Sequence, residues 1–146
     1  MVEIRKAVES DLDQLTGLVE QYREFYQQKP NVQTRAFLRE RLTQNESIIF
    51  VAQNDGQLIG FTQCYPSFST VSVSTVWLLN DLFVDPAHRG AGIANKLMQS
   101  AEEAAKAAGA SRIWLRTAHT NETAQKLYES RGWKLDEVFR RYDLIF

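Results

Sequence analysis

Apolar residues recur along the N-terminal part of the chain first with a strand period and then with a helix period. Val2 to Lys6 alternates apolar and polar positions and predicts a short strand. After Ser10, which is expected to be an N-cap, apolar residues recur every three or four positions and predict a helix. Pro30 is expected to end or break this helix. The residues of this apolar stripe are Leu12, Leu15, Leu18, Val19, Tyr22, Phe25 and Tyr26. Thr34 to Asn45 predicts a second, shorter helix.

The pattern in the middle of the chain predicts three strands. Ile48 to Gln53 and Leu58 to Tyr65 are rich in β-formers, and the turn sequence Asn54-Asp55-Gly56 between them predicts a hairpin. The segment Pro66 to Ser74 is rich in Ser and Thr and predicts a loop. Thr75 to Val84 then predicts a long strand.

The C-terminal part alternates helices and strands. A helix is expected to open around Gly90 to Ala94 and to end near Gly109. Arg112 to Thr117 predicts a strand, and Asn121 to Arg131 predicts a helix that is stopped by the glycine after it. Trp133 to Phe146 is expected to supply one or two closing strands. The order βααββ followed by βαβαβ predicts an α+β fold in which the crossover from 75 to 117 joins parallel strands.

Composition narrows the class of protein. The chain has 146 residues, 44% of them hydrophobic, which suits a single domain over residues 1–146. With 17 basic and 18 acidic residues the formal charge is −1, so no overall field favours nucleic acid or a membrane. The N-terminus has no signal-peptide pattern and no apolar run approaches a membrane span, so we expect a cytoplasmic protein. Cys64 is the only cysteine and the two histidines are too few for a zinc motif, so no disulfide and no metal are expected.

The stretch "VDPAHRGAGIANKL" places two glycines between a predicted strand and a predicted helix. Backbone N–H groups at the start of a helix, together with its dipole, form an anion site, and Gly90 and Gly92 let a ligand approach the main chain. A plain strand-to-helix turn explains the same glycines. A dinucleotide fingerprint fits less well, because Asn95 stands where its third glycine belongs and Arg116 ends the next strand in place of an acidic residue.

Two segments resemble motifs of the GNAT superfamily of acyl-CoA N-acyltransferases. The segment from Arg89 to Ala94 fits the pattern R/Q-x-x-G-x-G/A, and "LFVDP" before it resembles the family's strand end. The segment from Asn121 to Trp133 is similar to the pattern N-x-x-A-x-x-x-Y-x-x-x-G-[FW]. From the first to the last of these residues, the two segments span about a third of the chain. The resemblance implies a mixed, centrally splayed sheet flanked by about four helices.

The resemblance also implies that acetyl-CoA is the acyl donor. Main-chain N–H groups of Arg89, Gly90, Ala91, Gly92, Ile93 and Ala94 would bind its pyrophosphate. The pantetheine arm would lie beside Leu82, Phe83 and Val84 like an added strand. Asn121 would face the cofactor, although its residue type equally suits the N-cap of a helix.

Transfer of an acetyl group to an amine needs a neutral amine, a stabilised oxyanion and a proton for the leaving thiolate. By resemblance, Tyr128 is the general acid that also lies against the cofactor, and core packing is its alternative role. Asp81 is the candidate base, with a salt bridge, a turn or a water relay as alternatives. Strict alternation along the strand places Asp81 on the face opposite Asn80.

The acceptor is expected to be a small primary amine such as a polyamine or amino acid, or a basic peptide. Tyr22, Tyr26 and Trp77 are candidates to line its cleft, although aromatic residues at helical spacing are also typical of a core. The resemblance allows a homodimer. A non-catalytic acyl-CoA-binding or regulatory domain is the alternative function.

Overall fold

The computed structural model describes residues 1–146. The chain forms two compact units, Met1–Leu115 and Arg116–Phe146. The expectation of one domain over the whole chain stays a prediction. No helix is both long enough and apolar enough to cross a lipid bilayer.

The first unit is built on a five-stranded mixed sheet, and the fold is α+β as predicted. Its strands are β1 (Val2–Lys6), β2 (Ile48–Asn54), β3 (Gln57–Ser69), β4 (Ser74–Val84) and β5 (Arg112–Trp114). They lie in chain order across the sheet, and every neighbouring pair is antiparallel except β4 and β5. Parallel strands need a long crossover, which helix α3 (Ile93–Ala107) supplies. The predicted parallel crossover is confirmed.

The core of this unit lies on both faces of the sheet. Helices α1 (Leu12–Phe25) and α2 (Thr34–Thr43) contribute to one apolar cluster, and α3 contributes to the other. Val51 belongs to the first cluster and its neighbour Phe50 to the second, because successive residues of a strand point to opposite faces. Each fully buried Leu or Phe side chain contributes about 1.5–3 kcal/mol of transfer free energy.

Two local expectations for this unit are wrong. The predicted loop from Pro66 to Ser74 is mostly strand, because Pro66 and Ser67 continue β3 in register with β4. Pro66 is tolerated there since β2 pairs with β3 only as far as Cys64, which leaves that side of β3 as an edge. Ser10 does not cap α1, because it lies in a short 3₁₀ turn and Asp11 takes the N-cap position.

The second unit contains helix α4 (Glu122–Ser130). The expectation of one or two closing strands in Trp133 to Phe146 is wrong, because no strand is assigned there. A strand is defined by pairing with a neighbour, and α4 is the only regular element within this unit.

Candidate active site

The glycine loop leads from the end of β4 into α3. A short 3₁₀ turn, Pro86–His88, follows Asp85, whose carboxylate accepts a hydrogen bond from the Ala87 N–H at 3.1 Å. Gly90 and Gly92 then take φ angles of 82° and 76°, in the left-handed region that favours glycine. A Cβ added to either glycine would meet no atom within 4 Å. The loop is therefore open to a ligand, and its glycines are needed for backbone conformation.

Helix α3 begins without a side-chain cap. Gly92 is its N-cap, and its carbonyl accepts a hydrogen bond from the Lys96 N–H at 3.1 Å. Glycine has no side-chain acceptor for the N–H groups of the first turn, and the loop residues Gly90 to Gly92 are exposed. N–H groups and the positive end of the helix dipole thus face solvent at one place, which suits a phosphate.

Arg89 is held against the end of β4. Its Nε donates a hydrogen bond to the Val84 carbonyl at 2.9 Å. Its guanidinium carbon lies 5.5 Å from the ring centre of Phe83 and 5.9 Å from that of Phe25. The side chain therefore braces the turn while its positive charge stays beside the loop.

Strand β4 has an open edge directly before the loop. Its pairing with β5 runs only from Val76 to Leu78. On its other side β4 stays paired with β3 as far as Val84. Within the unit Met1–Leu115, Leu82, Phe83 and Val84 thus have a strand partner on one side alone. Such an edge binds an extended ligand through main-chain hydrogen bonds.

A β-bulge in β4 changes which side chains share a face. Gln63 pairs with Asp81 and Cys64 with Leu79, so Asn80 is an extra residue. Asn80 and Asp81 consequently line the same cavity, and the expectation that they lie on opposite faces is wrong. Strict alternation fails here because the bulge inserts one residue into the period of two.

The cavity has a volume of about 320 Å³ and lies between α1, α2 and the sheet. Most of its lining is polar or aromatic. The lining residues used below are Tyr22, Arg23, Phe37, Phe61, Gln63, Tyr65, Asn80 and Asp81. All lining residues belong to the first unit.

Asp81 is oriented by carboxamides on both of its oxygens. Gln63 Nε2 donates to Oδ2 at 3.0 Å, and Asn80 Nδ2 donates to Oδ1 at 3.0 Å. Gln63 is only 3% exposed, and its own Oε1 accepts a hydrogen bond from Ser47 Oγ at 3.0 Å. The carboxylate is therefore fixed by neutral donors.

Burial beside Asp81 changes the acidity of its neighbours. Burial raises the pKa of Tyr22 far above its usual value, and the Asp81 charge and a hydrogen bond with Asp81 act in the same direction. Burial, followed by the Asp81 charge, raises the pKa of Tyr65 to about 12. The same two causes raise the pKa of the Cys64 thiol to about 12. Both phenols and the thiol therefore stay protonated at neutral pH, which makes Cys64 unsuited to act as a nucleophile.

The three candidate acceptor residues lie in different places. Tyr22 lines the cavity, and its ring packs edge-on against Phe61 at 5.6 Å. Tyr26 contacts the Tyr22 ring at 5.1 Å but is not part of the cavity lining. Trp77 is 4% exposed and pairs with Pro66, the strand neighbour of the cavity residue Tyr65, so it points to the other face of the sheet. The structure therefore does not bring Trp77 to the cavity.

The second unit holds Asn121 and Tyr128. Asn121 is the N-cap of α4, and its side chain accepts a hydrogen bond from the Ala124 N–H at 3.2 Å. Tyr128 is half-buried, and its ring lies 6.2 Å from that of Trp133. The Trp133 N–H donates to the Tyr128 carbonyl at 3.0 Å and closes the end of the helix.

Sequence reasoning missed Gln63, Tyr65 and the role of Asn80. Gln63 could have been predicted from the sequence, because it is an amide side chain between Thr62 and Cys64 in an apolar strand. A buried amide of this kind needs a hydrogen-bond partner. The bulge that brings Asn80 into the cavity had no signal, because it depends on how two strands pair.

Comparisons with known proteins agree on one family. Residues 13–133 match the Acetyltransferase (GNAT) family. The uncharacterised N-acetyltransferase YhfO of Bacillus subtilis is 44% identical over 97% of this chain and 95% of its own length. A probable acetyltransferase of known crystal structure is 40% identical, with a TM-score of 0.93 over 99% of this chain and 97% of that one.

A more distant solved structure supports the fold alone. It is aminoglycoside N-acetyltransferase AAC(6')-Iy in complex with CoA, at 24% identity and a TM-score of 0.85 over 99% of this chain and 95% of that one. The α+β fold, the open glycine loop and these matches define an acyl-CoA N-acyltransferase. The chain belongs to the GNAT family of acetyltransferases.

Proposed function

We propose that the protein transfers an acetyl group from acetyl-CoA directly to a primary amine of a small molecule or a basic peptide. The observation that carries this proposal is the arrangement around β4. One end of the strand leads into the exposed loop Gly90–Gly92, and Asp81 lines a cavity of about 320 Å³. Within the unit Met1–Leu115, the strand has an unpaired edge at Leu82–Val84. A diphosphate, an extended arm and an amine each have a matching surface along this strand.

In this proposal the amine nitrogen attacks the thioester carbon, and the carbonyl oxygen becomes an oxyanion. A main-chain N–H of Phe83 or Val84 at the open edge of β4 stabilises that charge. The C–S bond then breaks, and the acetyl group stays on nitrogen. Asp81 or a water that it orients takes the proton from the amine.

Tyr128 is the proposed donor of a proton to the departing thiolate. A phenol has a reference pKa near 10 and a thiol one near 8.5, so the transfer is uphill by about 2 kcal/mol. Tyr128 lies in the segment that matches the second family motif. Its role distinguishes an enzyme from a domain that only binds acyl-CoA, which needs no acid.

The test is thiol release from acetyl-CoA with a panel of amines, combined with the variant Tyr128→Phe. We expect turnover with at least one amine, and a loss of about 10- to 100-fold or more in kcat in the variant. Calorimetry should show unchanged affinity for acetyl-CoA. Unchanged turnover in Tyr128→Phe would remove Tyr128 from the mechanism, and acetyl-CoA binding without any turnover would favour a binding domain.

A further inference from the structure

The charges that line the cavity are few and do not cancel. Arg23 and Asp81 are its only charged lining residues. Arg23 donates to the Glu20 carboxylate at 3.1 Å and to the Lys29 carbonyl at 2.7 Å, so Glu20 neutralises it. Asp81 forms no ion pair and accepts hydrogen bonds only from uncharged groups. The cavity therefore has one uncompensated negative charge.

The Arg23–Glu20 pair is itself closed to a ligand carboxylate. Glu20 also accepts hydrogen bonds from the Thr34 hydroxyl and from the Asn31 N–H. The Thr34 hydrogen bond and further donors, Arg23 included, lower the pKa of Glu20, which keeps it ionised at neutral pH. A second carboxylate at Arg23 would meet this negative charge. The arrangement disfavours a zwitterion such as a free amino acid.

Besides uncharged polar groups, four aromatic side chains line the cavity, and its volume is small. Tyr22, Phe37, Phe61 and Tyr65 all line the cavity. Aromatic faces attract an ammonium group and also pack against an apolar body. A cavity of 320 Å³ lies at the small end of ligand sites, which range over about 300–1,000 Å³. Asp81 is the only carboxylate in the lining, so a polycation would place its further ammonium groups there without a charged partner.

We propose that the acceptor is a small primary amine with an apolar or aromatic body, a single positive charge and no carboxylate, whose ammonium binds Asp81. This inference rests on the proposed acetyl transfer. It selects one part of the broad class of amines named above. The same carboxylate that attracts the ammonium then lies beside the proton that must leave before the nitrogen can attack.

The first experiment compares phenethylamine with phenylalanine, which differs by one carboxylate, and with spermidine, a polycation, in the thiol-release assay. We expect kcat/KM for phenethylamine to exceed that for phenylalanine by about 100-fold, because the added carboxylate faces Asp81 and Glu20. We expect an advantage of about tenfold over spermidine. A preference for the amino acid or for the polycation would overturn the inference and leave the transferase activity standing.

The second experiment measures binding without turnover, by calorimetry in the presence of CoA. Phenethylamine should bind about 10- to 100-fold more weakly to Asp81→Asn than to the wild-type protein. Asp13→Asn is the matched control, because it removes an equal charge from a side chain that is 85% exposed on α1. Equal affinity of both variants would overturn the inference.

A third comparison needs no variant. The uncharged analogue 2-phenylethanol should bind the wild-type protein at least about tenfold more weakly than phenethylamine. Equal binding of the two would overturn the role of charge even if Asp81→Asn fails to fold. Binding of phenethylamine with no thiol release from any amine would overturn the proposed transfer and leave only an amine-binding site at Asp81. Absence of both binding and thiol release would overturn the proposed function and the amine site together.

Discussion

Gln63 is the residue that determines how Asp81 is presented to the cavity. Because Ser47 Oγ donates to Gln63 Oε1, the amide nitrogen is turned towards Asp81, to which it donates at 3.0 Å. We expect Gln63→Leu to lower kcat/KM by about tenfold, the effect of losing one hydrogen bond to a charged group. Steady-state kinetics would separate two roles for Asp81. A lower kcat indicates that it takes the proton, and a higher KM indicates that it binds the amine.

The control for this experiment is Ser47→Ala, which removes the outer hydrogen bond and leaves the contact between Gln63 and Asp81. It should change kcat/KM less than Gln63→Leu does. If both variants kept wild-type kinetics, Gln63 would have no positioning role.

Asp11 is a buried carboxylate, 6% exposed, and its role concerns stability. Arg5 donates to both of its oxygens, at 2.7 and 2.8 Å, and the Val8 N–H donates at 2.8 Å. The hydrogen bond from Arg5 lowers the pKa of Asp11 below its usual 3.8. Since the folded-state pKa is the lower one, the stabilisation is complete above the unfolded value and is lost as the pH falls through the folded value.

We therefore expect Asp11→Asn to lower the free energy of unfolding by about 2 kcal/mol at pH 7 and by much less near pH 3. The expected cost is below that of a fully buried pair, because the Arg5 side chain is 28% exposed. Urea unfolding at both pH values measures it. Asp13→Asn, whose exposed ion pair with Arg35 is worth little, should cost less than about 0.5 kcal/mol. An equal loss in both variants at pH 7 would contradict this account.

At the scale of elements, helix α3 offers a matched pair of glycines. Gly92 at its start and Gly109 just after its end have φ angles of 76° and 80°, and an added Cβ would meet no atom within 4 Å at either. Valine at either position should therefore cost similar backbone strain, about 1–2 kcal/mol. Only at Gly92 would the side chain enter the space proposed for the pyrophosphate.

We expect Gly92→Val to abolish CoA binding in calorimetry, while Gly109→Val binds with wild-type affinity. Thermal unfolding should show that both variants fold and lose similar stability. Wild-type affinity of Gly92→Val would mean that the pyrophosphate binds elsewhere.

Elements were predictable where their signal is local. The stripe that begins at Leu12 is a property of its own segment, and so is the turn Asn54-Asp55-Gly56. The bulge at Asn80 is a property of two strands, since it is defined by the pairing of Gln63 and Cys64 of β3 with residues on either side of Asn80 in β4. For the same reason the extension of β3 through Pro66 to Ser69 was missed. Pairing with β4 overrides the loop preference of these residues.

At the scale of the whole molecule, the chain order of elements was enough to predict the parallel pairing of β4 with β5. The expected closing strands after Trp133 were not found, since no strand is assigned within the second unit and α4 is its only regular element. The candidate site likewise has a part that depends on local sequence and a part that depends on the tertiary fold. The special backbone conformation of Gly90 and Gly92 was predictable from a local pattern, and their binding role stays a prediction. The cavity depends on helices and strands far apart in the chain.

Ligand binding to the folded molecule gives a test that depends on no single side chain. A ligand that binds only the folded state stabilises it by RT ln(1 + [L]/Kd), or about 2.7 kcal/mol at 100 times Kd. For a chain of 146 residues this corresponds to a rise in Tm of about 8 °C. We expect this rise with acetyl-CoA in a thermal-shift assay and none with NAD at the same concentration.

The comparison with NAD is informative because the glycine loop alone could bind the pyrophosphate of acetyl-CoA or that of NAD. Both cofactors carry a pyrophosphate that suits exposed N–H groups at the start of a helix. Only acetyl-CoA also has an extended amide-bearing arm that matches the open edge of β4 at Leu82–Val84. A rise with both ligands would mean that the loop binds diphosphates without help from the strand edge. A rise with NAD alone would contradict acetyl-CoA as the donor.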